Sequence, residues 1–231
     1  MKFDLLDFVG SLFFPRLCLA CGSSLRAGAL CNTCSAGMIL SRTLFCGECG
    51  VPTPCFTHPC HPLFPYTLGS PGTYENHIFK ELIHALKFNG IRIAAVPLAD
   101  ALVRYVSLLR IPLTGYTVVP VPLSRERLRS RGFNQSEHIA NIFSERMGLP
   151  TAPRFLARVR HAKPQSETKN LAERKENIRG CFAVPRPAIV HGKNIILIDD
   201  VTTSGATFLE SARVLKSAGA ARIVALAVAR A

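Results

Sequence analysis

Two groups of residues in this 231-residue chain have the types and spacing for chemistry. The first is Asp199 and Asp200, followed by Val201, Thr202, Thr203, Ser204, Gly205, Ala206 and Thr207. A loop of small residues lets backbone N–H groups close around a phosphate, and hydroxyls add donors. Paired carboxylates would repel that anion, so their own partner must be sugar hydroxyls or a bound Mg²⁺. An anion pocket beside two acids therefore points to a phosphorylated sugar. The second group is the cysteine series Cys18-x2-Cys21, Cys31-x2-Cys34, Cys46-x2-Cys49 and Cys55-x4-Cys60. Each C-x2-C pair presents two thiolates to one ion, and Zn²⁺ takes four ligands in a tetrahedron. Cys18, Cys21, Cys31 and Cys34 make one full set. Cys46, Cys49, Cys55 and Cys60 are less regular, and His58 and His61 compete with Cys55 and Cys60 as ligands. Spacing alone leaves open a cross-braced pairing over two ions, or a single zinc with a degenerate second set.

Positioning these groups requires particular elements. Ile195 to Ile198 is a short apolar run rich in β-branched residues, which suits a strand buried on both faces. After the loop, Phe208, Leu209, Ala212, Leu215 and Ala218 recur at helical spacing, with Gly219 as the stop. That helix would aim its positive N-terminus at the same phosphate. Tyr116 to Val121 reads as a second strand, ended by Pro120 and Pro122, where a strained or cis X-Pro bond is expected. Beyond it Arg125, Arg127, Arg129 and Arg131 alternate. In extended backbone they project to one side, as a clamp for pyrophosphate or nucleic-acid phosphates. The bland alternative is a solvated basic turn. A loop after one parallel strand can sit beside the 201–207 loop at the carboxyl edge of the same sheet, which favours the clamp.

The remaining segments are less specific. Asn134 or Ser136 can cap a helix whose apolar face is Ile139, Ile142, Phe143 and Met147. Glu75–Asn89 and Ile93–Leu109 read as helices without a catalytic constellation, and Pro97 falls where a first turn tolerates it. Residues 158–181 are polar and punctuated, like a flap over a site, with Gln165, Arg174 and Asn177 as polar candidates. Arg222 to Ala229 is a final buried strand.

Composition bounds the function. A hydrophobic content of 48% supports a real core. No stretch of apolar residues is long enough for a transmembrane helix, so an integral membrane protein is not expected. A net charge of +13 exceeds what a sugar phosphate needs and points to a polyanionic partner. Clustered, metal-ready thiols place the chain in the reducing cytoplasm. The N-terminus carries Asp4 and Asp7 inside its apolar stretch. It reads as a short amphipathic helix with Phe3, Leu6, Val9 and Phe13 on one stripe, rather than as a signal peptide.

The stretch from Lys193 to Leu209 resembles the signature of the type I phosphoribosyltransferases. That resemblance implies that Asp199 and Asp200 take the ribose of phosphoribosyl pyrophosphate (PRPP), as the catalytic acids. Val201 to Thr207 would take its 5′-phosphate, and Mg²⁺ would accompany the pyrophosphate. Over nearly its whole length the chain resembles the ComF family of competence-associated proteins, including GntX-type members. The residues that carry this are the cysteine pairs, Leu86-Lys87-Phe88-Asn89-Gly90, and Pro120 to Leu123. Arg129 to Gln135, Gln165 with Arg174 and Asn177, and the Asp199–Thr207 loop complete it. The family implies an N-terminal helix and zinc-ribbon module (1–65, a double ribbon holding structural Zn²⁺). It also implies an α/β phosphoribosyltransferase-like domain (66–231), a parallel sheet flanked by helices. The implied role is handling incoming single-stranded DNA in the cytoplasm, with other DNA-uptake proteins as partners. The alternative is an active transferase that moves the phosphoribosyl group of PRPP to an unidentified acceptor. The x4 spacing of the last cysteine pair departs from the family pattern and bears on the second metal set.

Overall fold

The structure, a computed structural model, describes residues 16–53, 60–160 and 176–231. The N-terminal amphipathic stripe, Cys55, His58, Gln165 and Arg174 lie outside the described residues.

The chain enters through a small antiparallel hairpin, β1 (Arg16–Leu17) and β2 (Ser24–Leu25), followed by a short helix α1 (Asn32–Ala36). A second hairpin, β3 (Leu44–Cys46) and β4 (Pro52–Thr53), does not stay with the first. Its β3 strand pairs antiparallel with β5 (Thr67–Gly69) and so becomes an edge of the main sheet. After β6 (Gly72–Thr73) come α2 (His77–Lys87) and α3 (Ala95–Leu108), then β7 (Tyr116–Pro120). The chain continues through α4 (Arg125–Arg131), α5 (Gln135–Met147), β8 (Ala157–Arg158) and β9 (Phe182–Ala183). It finishes with β10 (Asn194–Thr202), α6 (Ala206–Ser217) and β11 (Arg222–Arg230).

The central sheet runs β4-β3-β5-β11-β10-β7, with β6 also on β11. Strands β5, β11, β10 and β7 are mutually parallel, with the β3–β4 hairpin antiparallel at one edge. Ile195, Ile196, Leu197 and Ile198 of β10 have no exposed surface. The two-residue period of a strand splits them. Ile196 and Ile198 face Leu82, Leu98, Leu102 and Phe143 of α2, α3 and α5. Ile195 and Leu197 face Phe208, Ala212 and Leu215 of α6. Each such residue contributes about 1.5–3 kcal/mol by leaving water. A one-residue slip would exchange the two faces.

Several local expectations are corrected. No peptide bond among the described residues is cis. Pro120 pairs in register with Ile198, and the next residue's N–H, Val121, donates to the Ile198 carbonyl at 2.9 Å, so the donor that proline lacks is not needed. The arginine run is not extended: it is the helix α4, capped by the Ser124 hydroxyl accepting from the Arg127 N–H at 3.3 Å. Asn134 rather than Ser136 caps α5, accepting from the Ser136 N–H. The acid pair lies inside β10 instead of following it.

Candidate functional site

β10 carries its two acids to the carboxyl end of the parallel sheet, where α/β folds bind ligands. Asp199 Oδ1 accepts from the Ser136 hydroxyl on α5 at 2.7 Å and from the Asp200 N–H at 2.9 Å. Its half-buried carboxyl group faces Asp200; burial first, then that like charge, push it up to about 7. Asp200 is fixed differently. Its Oδ1 accepts from the Val201 N–H at 2.6 Å and meets the Lys87 ammonium at 2.9 Å. The other oxygen, Oδ2, is buried with no protein partner. A buried carboxylate oxygen left open is costly unless a ligand or ion meets it.

The loop after β10 reverses the chain at Gly205, which adopts φ +69°. A Cβ there would also lie 2.9 Å from the Tyr66 hydroxyl. Glycine is therefore required twice over, for the left-handed backbone and for the space. Helix α6 then starts at Ala206 with no side chain capping its first N–H groups. These donors stay available, at the positive end of the helix dipole. Asp199, Asp200 and all of Val201 to Thr207 line one cavity of about 510 Å³.

Lys87, Phe88, Arg127, Arg131, Gln135 and Arg158 are among the other residues of its wall. The helical form of the arginine run divides it by face. Arg127 and Arg131, one turn apart, reach the cavity, and Arg131 donates to Gln135 Oε1 at 2.6 Å. Arg125 and Arg129 instead line a neighbouring cleft of about 630 Å³ with Arg158 and Arg160. The four side chains are not one clamp; they serve two adjoining basic concavities joined through Arg158. Sequence reasoning did not connect Lys87 or Ser136 to the acid pair, nor Arg158 to the cavity, because nothing local in the chain signals these contacts.

The cysteines form two separate groups. Cys18, Cys21, Cys31 and Cys34 place their sulfurs within 4.8 Å of one another, as do Cys46, Cys49 and Cys60 with a nitrogen of His61. A tetrahedral ion with bonds of about 2.3 Å to sulfur needs ligand–ligand edges near 3.8 Å. The observed edges fit: Cys21 to Cys31 is 3.8 Å, Cys49 to Cys60 is 3.6 Å, and Cys46 to His61 Nδ1 is 3.5 Å. Adjacent pairs are therefore used together, in sequence order, and not cross-braced. Both sets can hold a metal ion, and an S₄ and an S₃N donor set suit Zn²⁺. The Cys34 N–H pulls Cys31 down to about 6, while burial and the neighbouring thiols push Cys34 up. Four thiolates this close need a cation to share. In the second set His61 is the fourth described ligand, and Cys55 lies outside the described residues.

A parallel α/β sheet with paired acids, a glycine turn and an uncapped helix N-terminus at its carboxyl edge defines a phosphoribosyltransferase-type domain. Residues 87–231 match the family described as "Phosphoribosyl transferase domain". The DNA utilization protein YhgH of Salmonella typhi is 30% identical over 226 residues, spanning 92% of this chain and 96% of that protein. YhgH of Escherichia coli K12 is likewise 30% identical over 226 residues. The competence protein ComFC of Bacillus subtilis is 30% identical over 212 residues, spanning 90% of this chain and 81% of that protein. The chain belongs to the ComF family, with a phosphoribosyltransferase-like domain.

Proposed function

We propose that this protein handles incoming single-stranded DNA in the cytoplasm during DNA uptake, and that its cavity binds the ribose 5-phosphate part of PRPP or a related sugar phosphate. The observation that carries the reading is the cavity itself. One wall offers an uncapped helix start and the Thr202–Thr207 loop for a phosphate. Beside it, the end of β10 offers Asp199 and the open Oδ2 of Asp200 for ribose hydroxyls or the Mg²⁺ that PRPP carries. Arg127 and Arg131 supply charge for a pyrophosphate, whereas Arg125, Arg129 and Arg160 line the neighbouring cleft, which Arg158 joins to the cavity, and suit a nucleic-acid backbone. The names of the relatives, DNA utilization and competence proteins, agree with that role. Zn²⁺ in both ligand sets would be structural. No helix among the described residues is long and apolar enough to cross a membrane. The need for reduced thiols supports a cytoplasmic location.

One feature favours a second reading. Asp199, near neutrality in its affinity for protons, can take one from an acceptor that attacks C1′ as the bond from C1′ to pyrophosphate breaks. The deciding experiment titrates labelled single-stranded DNA across a salt series, with and without PRPP and Mg²⁺. Salt-sensitive binding that PRPP alters is expected. Retained PRPP binding without DNA binding would overturn the DNA-handling reading and leave a small-molecule transferase.

A further inference from the structure

We infer that Phe88 is a stacking platform for a nucleobase, so that the cavity takes a nucleotide carrying its 5′-phosphate and not only a bare sugar phosphate. This rests on the reading of the loop and acid pair as a ribose-phosphate pocket. Phe88 caps the end of α2 and leaves 65% of its surface exposed, yet it lines the same cavity as the acid pair. An aromatic ring in water forgoes burial worth about 1.5–3 kcal/mol, and here it does so at the mouth of a polar site. Its placement is firm. The Phe88 N–H donates to the His84 carbonyl at 2.9 Å, and the preceding residue, Lys87, is ion-paired with Asp200. Consecutive Cα atoms are about 3.8 Å apart, so ring and acid are tied through one residue.

The ring's neighbours fit a base. The His84 ring backs it at 4.8 Å, and the Arg131 guanidinium lies 5.9 Å from its centroid on the cavity side. Aromatic faces and guanidinium planes are the surfaces on which bases stack without regard to sequence. A ribose whose phosphate meets the loop and whose hydroxyls meet the acids carries its base outward from C1′, toward the mouth. Nucleobase stacking would come either from a free nucleotide or from the 5′ end of a single strand.

The chain contains no tryptophan, so Phe88→Trp installs a single reporter at the platform. The full-length variant is titrated with AMP, a 5′-phosphorylated oligodeoxyadenylate, the same strand with a 5′-hydroxyl, and ribose 5-phosphate. Base-bearing 5′-phosphates should quench the indole emission, and ribose 5-phosphate should not. Phe88→Ala should weaken AMP about 5- to 100-fold and leave ribose 5-phosphate unchanged. Quenching by AMP alone identifies a free nucleotide, and quenching by the phosphorylated strand alone identifies strand ends. The inference is overturned if base-bearing ligands leave the emission unmoved or do not bind. It is equally overturned if Phe88→Ala affects AMP and ribose 5-phosphate alike, or if the 5′-hydroxyl strand quenches as well as the phosphorylated one. Ribose 5-phosphate failing to bind while AMP quenches would instead remove the sugar-phosphate reading and leave the platform standing.

Discussion

The two metal-ligand sets use nearly the same donors, yet they are embedded in opposite ways. The first, Cys18 to Cys34, sits on a two-stranded hairpin that shares no strand with the main sheet. It leans on α2 through a few contacts, such as His77 Nε2 to the Ala20 carbonyl at 3.0 Å and Asn76 Nδ2 to the Gly37 carbonyl at 3.4 Å. The second begins at Cys46, the buried last residue of β3, which is hydrogen-bonded into the sheet. Behind it, the Tyr66 hydroxyl stands 3.4 Å from the Gly47 carbonyl and 3.5 Å from that of Gly205 in the loop after β10. Burial pushes the Tyr66 hydroxyl up, so it stays protonated and donates. A Cβ at Gly47 would lie 2.6 Å from the Tyr66 ring, so this contact is close. The first set thus meets the body only through these contacts and the packing of Leu19, Leu30 and Met38, whereas the second is joined through Gly47 and Tyr66 to the loop that would hold the ligand. Similar coordination chemistry has different reach depending on what its ligands are hydrogen-bonded to.

This contrast can be broken by mutation. Cys46→Ser should have the largest effect: one metal ion lost per chain, a global destabilisation above about 3 kcal/mol, and loss of ribose 5-phosphate binding. Elemental analysis, denaturant melts and a binding titration read these together. Asp199→Asn comes next and separates the pocket's own cost from the support beneath it. The raised pKa means the native state keeps a proton that the unfolded chain releases between about pH 4 and pH 7. Wild-type stability therefore falls as pH rises through that window, and the asparagine removes the fall. At pH 8 the variant should gain on the order of 2 kcal/mol while losing sugar-phosphate affinity, as denaturation at pH 5 and pH 8 would show. Tyr66→Phe should cost about 1 kcal/mol and weaken ribose 5-phosphate severalfold with both metals retained. Cys34→Ser should be mildest: one ion lost, with the global melt within about 0.5 kcal/mol of wild type and the pocket unaffected. Equal damage from Cys34→Ser and Cys46→Ser would refute the contrast.

What the sequence revealed follows from how local each feature is. The strand, acids, loop and helix of residues 194–217 were legible because their pattern is contiguous. The C-x2-C pairs were legible for the same reason, and His61 was among the ligands weighed. Hidden features depend on distant partners: Ser136 reaches Asp199 across 63 positions, and Tyr66 reaches Gly205 across 139. Lys87 stood out only as part of the Leu86–Gly90 stretch, and its ion pair with Asp200 appears only in the fold. The arginine run misled in another way. Alternation every second residue mimics a strand, but Ser124 starts a helix and Gly132, at φ +77°, stops it. Seven residues then distribute their charges to two sides instead of one.

The strand order also constrains how the chain must assemble. β11, the last described strand to leave the ribosome, lies between β5 and β10 in the middle of the sheet. Until it arrives, the hairpin of the second metal set and β5 share no hydrogen-bonded neighbour with the β7–β10 half. Each half waits with an open edge and a half-covered apolar face, and closing the sheet requires β11 to pair with β5, about 150 positions earlier in the chain. The Arg230 guanidinium, 4.1 Å from the Phe45 ring centroid, completes that closure. The first cysteine set can fold around its ion early in synthesis, whereas the edge that carries the second joins the β7–β10 half only when β11 arrives. The nascent polypeptide is thus metal-ready at its head long before it is sheet-complete at its heart.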